Sequence, residues 1–268
     1  MNYESRIILY LCRQIQTKTK EMKRHFCFIV AVLGLTLTAH AQGNDFGMWY
    51  EIGAEKKLSS KWSLGVEGEF RTRNNTKTAD RWSAGLSGEY KISKVLKVSA
   101  GYLFLYDNNM EEFDLKKDGF RPNKWTPSYW GVRHRFNLSL SGNVDWGRFN
   151  FALRERWQYT YRPAADGKKY DFDEEAWTSV RGKGKNVLRS RFQVSYDIPH
   201  WKFDPFANME LFNDDEGISK TRYQVGVDYK YKKKHVFSLT YRYQDVNSND
   251  DDSEVNSHLL GLSYKFKF

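Results

Sequence analysis

Three Arg-x-Arg triplets carry the side chains of this sequence that are best suited to chemistry: Arg133–Arg135, Arg154–Arg156 and Arg189–Arg191. Their middle residues are a histidine, a glutamate and a serine, the three groups of an acyl-transfer site: His134, Glu155 and Ser190. On extended strands these middle residues point to the face opposite the arginines. The triplets therefore predict two separate polar sets, one on each face of the same strands.

The histidine, glutamate and serine are open to two interpretations. One is a lipid-modifying acyl hydrolase, similar in chemistry to lipid A deacylases and outer-membrane phospholipases, although the His-x-Ser that those enzymes carry on one strand is absent here. The strand order also places the glutamate between the other two groups, whereas a triad needs the histidine in the middle. The other interpretation, which we favour, is a small polar cluster that is hydrogen-bonded internally or to lipid headgroups.

The arginines have acidic counterparts on the corresponding face of other segments. We expect twelve charged side chains to line a common lumen: Arg133, Arg135, Arg154, Arg156, Arg189, Arg191, Glu51, Glu55, Glu67, Glu69, Glu89 and Glu210. Charges in a narrow interior are costly unless they are paired or hydrated, which predicts an internal ion-pair network. Rings of arginine also select anions in pores, so a constriction for small anionic solutes is the second prediction.

The strands that position these charges alternate apolar and polar residues, as Val132–Leu140 does. Such alternation has the period of a β-strand, and an apolar face of this length suits a wall between lipid and a polar interior. Eleven segments share the pattern: 46–56, 61–72, 80–91, 96–106, 129–141, 146–161, 187–198, 202–212, 220–231, 235–245 and 257–268. We predict an all-β fold, a transmembrane antiparallel up-and-down β-barrel. A soluble β-sandwich is the alternative, which an aromatic content of 16% disfavours.

The connections between these segments alternate between short and long. Outer-membrane barrels have short periplasmic turns and long external loops, which sets the expected orientation. Aromatic residues near both ends predict two girdles: Trp62, Trp146 and Trp201 at one, and Trp82, Tyr106, Trp130, Tyr159, Tyr161 and Tyr243 at the other. The same alternation makes the first segment begin outside the cell, which does not fit an even number of strands. We therefore expect ten or twelve strands and favour twelve.

The N-terminal region has the pattern of a secretory signal peptide at residues 22–41. A basic stretch precedes an apolar run, and Ala39-His40-Ala41 is a small-x-small site, so cleavage is expected after Ala41. Residues 1–21 are expected to be an overextended start, and residues 42–268 a single barrel domain. Cys12 and Cys27 both precede that domain, which predicts no disulfide or thiolate metal site in it.

The charge and loop sequences limit the expected partners. The formal net charge of +10 falls to +6 without residues 1–41, and export removes nucleic acid as a partner. We expect no cofactor and no metal, since the acidic loop 250–254 lacks the spacing of a calcium loop. The expected partners are outer-membrane lipids and lipopolysaccharide, whose phosphates the basic loop 181–185 could contact.

The last segment resembles the terminal signal of bacterial outer-membrane barrels, because apolar residues share one face and the chain ends on Phe268. That resemblance implies recognition by the barrel-insertion machinery. Further motifs are spread along the chain: Phe-Gly-x-Trp at 46–49, Lys-Leu-x-x-Lys-Trp at 57–62, Tyr-Lys-Ile at 90–92, Gly-Tyr at 101–102 and the Arg-x-Arg triplets. Together they resemble the family of predicted exported barrels called domain of unknown function 2490, from about residue 45 to 268. The resemblance implies the fold and no particular activity.

Overall fold

The computed structural model describes residues 45–247 and 255–268. The signal peptide with its cleavage site and the acidic loop 250–254 lie outside these residues. Within them, no helix is long and apolar enough to span a membrane. The described chain forms fifteen strands: β1 Asp45–Lys57, β2 Trp62–Arg73, β3 Thr78–Lys91, β4 Leu96–Asn109, β5 Glu112–Leu115, β6 Pro122–Thr126, β7 Tyr129–Trp146, β8 Phe149–Arg162, β9 Ala165–Asp171, β10 Ala176–Val180, β11 Lys183–Tyr196, β12 Phe203–Asp214, β13 Gly217–Tyr231, β14 His235–Val246 and β15 Ser257–Lys267.

Eleven of these strands close into one barrel in the order β1-β15-β14-β13-β12-β11-β8-β7-β4-β3-β2. Each of the eleven predicted segments corresponds to one wall strand, so the predicted all-β barrel is confirmed. The expectation of ten or twelve strands is wrong. Successive wall strands are antiparallel, so an odd number leaves the first and last running in the same direction, and β1 pairs with β15 in parallel. The even count rested on an antiparallel closure that this barrel does not use.

The barrel is apolar outside and polar inside. Only four large apolar side chains are buried among the described residues, namely Trp49, Leu105, Val187 and Phe212, against fourteen polar or charged ones. The outer wall instead exposes rows of large apolar side chains, for example Val66 and Leu86. This distribution is the reverse of a soluble β-sandwich and suits a wall that faces hydrocarbon.

Aromatic side chains form contacts around both ends of the wall. At the end with short turns, Trp62 packs on Tyr90 with ring centroids 4.8 Å apart, and Phe203 packs on Tyr229 at 5.0 Å. At the end with long connections, Tyr106 stacks on Trp130 at 5.0 Å. These belts have the arrangement of interfacial girdles.

The two longest connections, predicted as loops, contain a second sheet of four short strands in the order β10-β9-β6-β5. The register aligns one aromatic residue from each strand: Phe113, Trp125, Tyr170 and Trp177. Trp125 and Tyr170 both lie near Trp177, with centroids 6.0 and 5.4 Å away. The two hairpins, β5-β6 and β9-β10, would each be only marginally stable alone. This aromatic cluster supplies the apolar face through which they pair.

Candidate functional site

The lumen of the barrel contains a cavity of about 730 Å³ that is lined by residues from all eleven wall strands. The lining residues extend along the strands, for example from Ser63 to Arg71 on β2 and from Arg154 to Arg162 on β8. This cavity is lined by all twelve of the charged side chains that were predicted to face the lumen. No residue of the four-stranded sheet is among its described lining residues.

The charged side chains around this cavity are predominantly basic. Fifteen are cationic: Arg71, Arg81, Arg133, Arg135, Arg154, Arg156, Arg162, Arg189, Arg191, Arg222, Arg242, Lys183, Lys185, Lys220 and Lys265. Seven are anionic: Glu51, Glu55, Glu67, Glu69, Glu89, Glu210 and Asp228. The described lining therefore carries an excess of eight positive charges.

A deeply buried carboxylate of the lumen, that of Glu210 on β12, contacts three arginines. Its Oε1 lies 2.6 Å from Nη2 of Arg154, and its Oε2 lies 2.9 Å from Nη2 of Arg189 and 3.6 Å from Nη1 of Arg222. The side chain of Glu210 is only 5% exposed, so these charges interact in a medium that screens them weakly. This carboxylate on β12 thus contacts side chains from three other wall strands, β8, β11 and β13.

Two smaller clusters occupy the other side of the lumen. Glu69 accepts hydrogen bonds from Trp49 Nε1 at 2.5 Å and from Arg71 Nη2 at 2.9 Å, and the Arg71 guanidinium lies 3.4 Å from the Trp49 ring centroid. Asp107 accepts from Arg81 Nε at 2.5 Å and lies 3.2 Å from Arg133 Nε. Because desolvated charges are stable only with such partners, these clusters stiffen the wall.

Several lumen arginines contact hydroxyl groups in place of carboxylates. Arg135 donates from Nε to Thr160 Oγ1 at 3.0 Å, and Arg156 donates from Nε to Ser139 Oγ at 2.8 Å. Neither of these residues, nor Arg191, makes an ion pair within 4.0 Å inside the described part of the chain. The lumen therefore combines ion-paired arginines with others that keep their charge available.

Six residues that shape these clusters were missing from the predicted set: Trp49, Arg71, Arg81, Asp107, Arg222 and Arg242. Arg71 and Arg81 are in phase with the inward faces of the predicted segments 61–72 and 80–91. Arg222 and Arg242 alternate in phase with the inward faces of two predicted strands, so the period-two pattern contained the signal. Trp49 is buried against the guanidinium groups of Arg71, Arg222 and Arg242, and alternation alone does not distinguish such a residue from a lipid-facing tryptophan. Asp107 lies one residue beyond the predicted segment 96–106, and segment boundaries are the least certain part of such a prediction.

The suggested acyl-transfer group is only partly assembled. Ser190 Oγ donates to Glu155 Oε2 at 2.6 Å on the outer face of β11 and β8. In the register of β7 and β8, however, Glu155 lies opposite Leu140, and His134 lies opposite Tyr161, roughly 20 Å further along the strand. His134 instead contacts the Tyr102 hydroxyl through Nδ1 at 2.7 Å. The expectation that the three groups are neighbours is therefore wrong. The middle residues of the triplets lie at different heights along the barrel axis, because the register of β7 and β8 does not pair His134 with Glu155.

Comparison with solved structures returns barrels of the outer-membrane type. The β-domain of the Bordetella autotransporter BrkA is 12% identical, with a TM-score of 0.50 over 78% of this chain and 83% of that chain. The translocator domain of the autotransporter NalP from Neisseria meningitidis is 12% identical (TM-score 0.47, covering 84% and 92%). The NanC porin is 17% identical (TM-score 0.46, covering 83% and 99%). At these identities the likeness concerns the fold alone, which is that of an outer-membrane β-barrel.

No curated protein sequence matches the chain significantly. A family model described as "Protein of unknown function (DUF2490)" matches residues 46–255, which is most of the barrel and confirms the family resemblance seen in the sequence motifs. The chain belongs to the DUF2490 family of proteins of unknown function.

Proposed function

We propose that this protein is an integral outer-membrane barrel whose lumen forms a narrow path for small anionic solutes. The observation that carries the proposal is the charge of the lumen lining, with fifteen cationic against seven anionic side chains. A wall of this composition attracts anions and repels cations, and the attraction is strong where low-dielectric walls concentrate the field.

The apolar outer wall and its two aromatic belts support insertion in a bilayer. In the proposed orientation the short turns face the periplasm and the four-stranded sheet lies outside the cell. The protein reaches this membrane by way of a cleaved signal peptide, and its last strand is recognised by the insertion machinery. Outer-membrane lipids surround the wall, and the exposed Arg181 near the outer rim suits contact with lipopolysaccharide phosphates, whereas Lys183 and Lys185, which follow it in the sequence, line the lumen.

The distribution of ion pairs favours a path over a sealed plug. A lumen filled by an internal network would balance its charges, because unpaired charges in a closed interior are costly. Here fifteen cations line the cavity against seven carboxylates, and Asp107 and Asp214 contact three of those cations from outside the lining. Arg135 and Arg156 use hydroxyl partners. Such arginines are stabilised by water and by mobile anions, both of which require an accessible lumen.

Two measurements test the proposal. The purified protein should migrate faster in gel electrophoresis when unheated than when boiled, as folded barrels do. In planar bilayers it should produce discrete conductance steps in KCl, and the Arg133→Gln/Arg135→Gln variant should change their amplitude. A folded protein that leaves the bilayer silent would overturn the pore, and a protein found soluble in the periplasm would overturn the barrel.

A further inference from the structure

The register of β8 and β11 sets two arginines of one strand directly opposite two of the other. Arg156 lies opposite Arg189, and Arg154 lies opposite Arg191. We call these four residues the arginine block. Like charges at directly opposed positions of a sheet destabilise it, so the block requires negative charge nearby.

Glu210 makes its short contacts with one diagonal of the block and acts on the other diagonal only electrostatically, over a longer distance. Glu210 binds Arg154 through one carboxylate oxygen and Arg189 through the other, at 2.6 and 2.9 Å. Arg222 also lies 3.6 Å from this carboxylate, so a third cation shares its two oxygens. The short contacts of Glu210 are thus all with residues outside the second diagonal.

In the described ranges, the second diagonal, Arg156 and Arg191, has no carboxylate within ion-pair distance. Arg156 donates from Nε to the neutral hydroxyl of Ser139. Arg191 lies opposite Glu210 in the register of β11 and β12 but makes no ion pair with it or with any other residue in the described ranges. Both side chains line the cavity, and the carboxylate of Glu67 on β2 interacts with Arg156 electrostatically.

Glu210 shows what a ligand can do at this position, because a single carboxylate bridges two guanidinium groups that are diagonal to one another. We propose that the arginine block binds a dianionic oxyanion from solution, with one acidic group bridging Arg156 and Arg191. Guanidinium groups present several donors in a fixed plane and suit carboxylate or phosphate oxygens.

A dianion is favoured over a monoanion by the charge of the surroundings. The block and Arg222 carry five positive charges, and Glu210 and Glu67 supply two negative ones. Because electrostatic attraction scales with the charge of the ligand, a second negative charge strengthens binding at a site with this excess. This inference rests on the proposed function, since the ligand reaches the block through the lumen.

The test is calorimetric titration of the full-length protein in detergent at constant ionic strength. Succinate and inorganic phosphate are the dianionic probes, and acetate is the monoanionic one. We expect saturable binding of at least one dianion with an affinity about tenfold above that of acetate, and Arg191→Gln should weaken it by about tenfold, which is the loss of one charge-assisted contact. Arg162→Gln is the matched control, because Arg162 lines the same cavity on β8 outside the block, and it should leave affinity within about twofold.

Folding of each variant is checked by the mobility shift on heating, and Arg156→Gln serves as a second variant if Arg191→Gln does not fold. Heats that do not saturate with either dianion, or equal affinity in wild type and both block variants, would overturn the site. Conductance with no dianion binding refutes this inference and leaves the pore intact. Dianion binding in a barrel that does not conduct refutes the pore and leaves the binding site.

Discussion

Arg154 on β8 reaches across the width of β11 to Glu210 on β12, with 2.6 Å between Nη2 and Oε1. The contact joins strands that are not hydrogen-bonded neighbours. Together with Arg189 and Arg222, it makes Glu210 the point at which four consecutive wall strands are linked by side chains.

We therefore expect Glu210→Gln to destabilise the folded barrel. Removing one partner of a buried ion pair leaves the other charges uncompensated, which costs on the order of 3 kcal/mol. Glu89→Gln is the matched control, since Glu89 is 39% exposed and, within the part of the chain that the structure describes, pairs only with the similarly exposed Lys97. The stability of both variants is measured by urea unfolding in detergent, with tryptophan fluorescence as the signal. Equal midpoints for the two variants would show that Glu210 does not link the wall.

The parallel seam between β1 and β15 is testable by cross-linking. Tyr50 lies opposite Leu262, and both side chains are exposed on the outer wall. No cysteine occurs between residues 45 and 268, so a Tyr50→Cys/Leu262→Cys variant carries only the engineered pair there. A short bifunctional maleimide should join the two cysteines in the folded protein. Tyr50→Cys/Phe268→Cys, displaced by six residues, should remain unlinked; the opposite pattern would refute the register.

Gly47 lies at the same seam and tolerates no side chain. A Cβ atom there would clash with the backbone oxygen of Thr72, which cannot move without opening β2. We expect Gly47→Ala to lower the temperature at which the heat-dependent mobility shift occurs. Gly88→Ala is the control, because its nearest neighbour would be the Leu64 side chain at an ordinary 3.7 Å. Unchanged melting of Gly47→Ala would contradict the close approach of β1 to β2.

The outer-face pair of Glu155 and Ser190 is expected to reduce stability in a bilayer. Glu155 is the seventh of fourteen residues in β8, so its carboxyl lies near the middle of the wall, among the exposed side chains of Leu140 and Leu153. Glu155→Leu/Ser190→Ala removes both polar groups and should stabilise the barrel by on the order of 1 kcal/mol in lipid vesicles. Ser190→Ala alone leaves the carboxyl without its donor and should destabilise it. A destabilised double variant would show that the pair has a partner in the membrane.

The wall of the barrel was predictable because strand alternation is a local property. Each segment such as Val132–Leu140 shows in its own sequence which residues face inward, and long wall strands repeat the signal many times. The closure was not predictable in the same way. Whether β1 meets β15 in parallel depends on a pairing between the two ends of the chain, and the rule that outer-membrane barrels have even strand numbers pointed to the opposite answer.

The candidate site was predictable in composition and not in arrangement. Alternation assigned twelve charges to the lumen, but the level of each along the barrel depends on register, which a segment read alone does not contain. The register places Arg156 opposite Arg189 and separates His134 from Glu155 along the strands. The four-stranded sheet was missed for a related reason. Its strands have four to seven residues and become stable only when Trp125, Tyr170 and Trp177 come together.

The central claim is that the excess of positive charge in the lumen selects anions. The most direct test is the reversal potential of single channels in a planar bilayer under a KCl gradient. We predict a reversal potential of the sign set by chloride, moving toward zero when Arg135 and Arg156 are both changed to glutamine. A reversal potential of the sign set by potassium, or one at zero in the unmodified protein, would contradict the account.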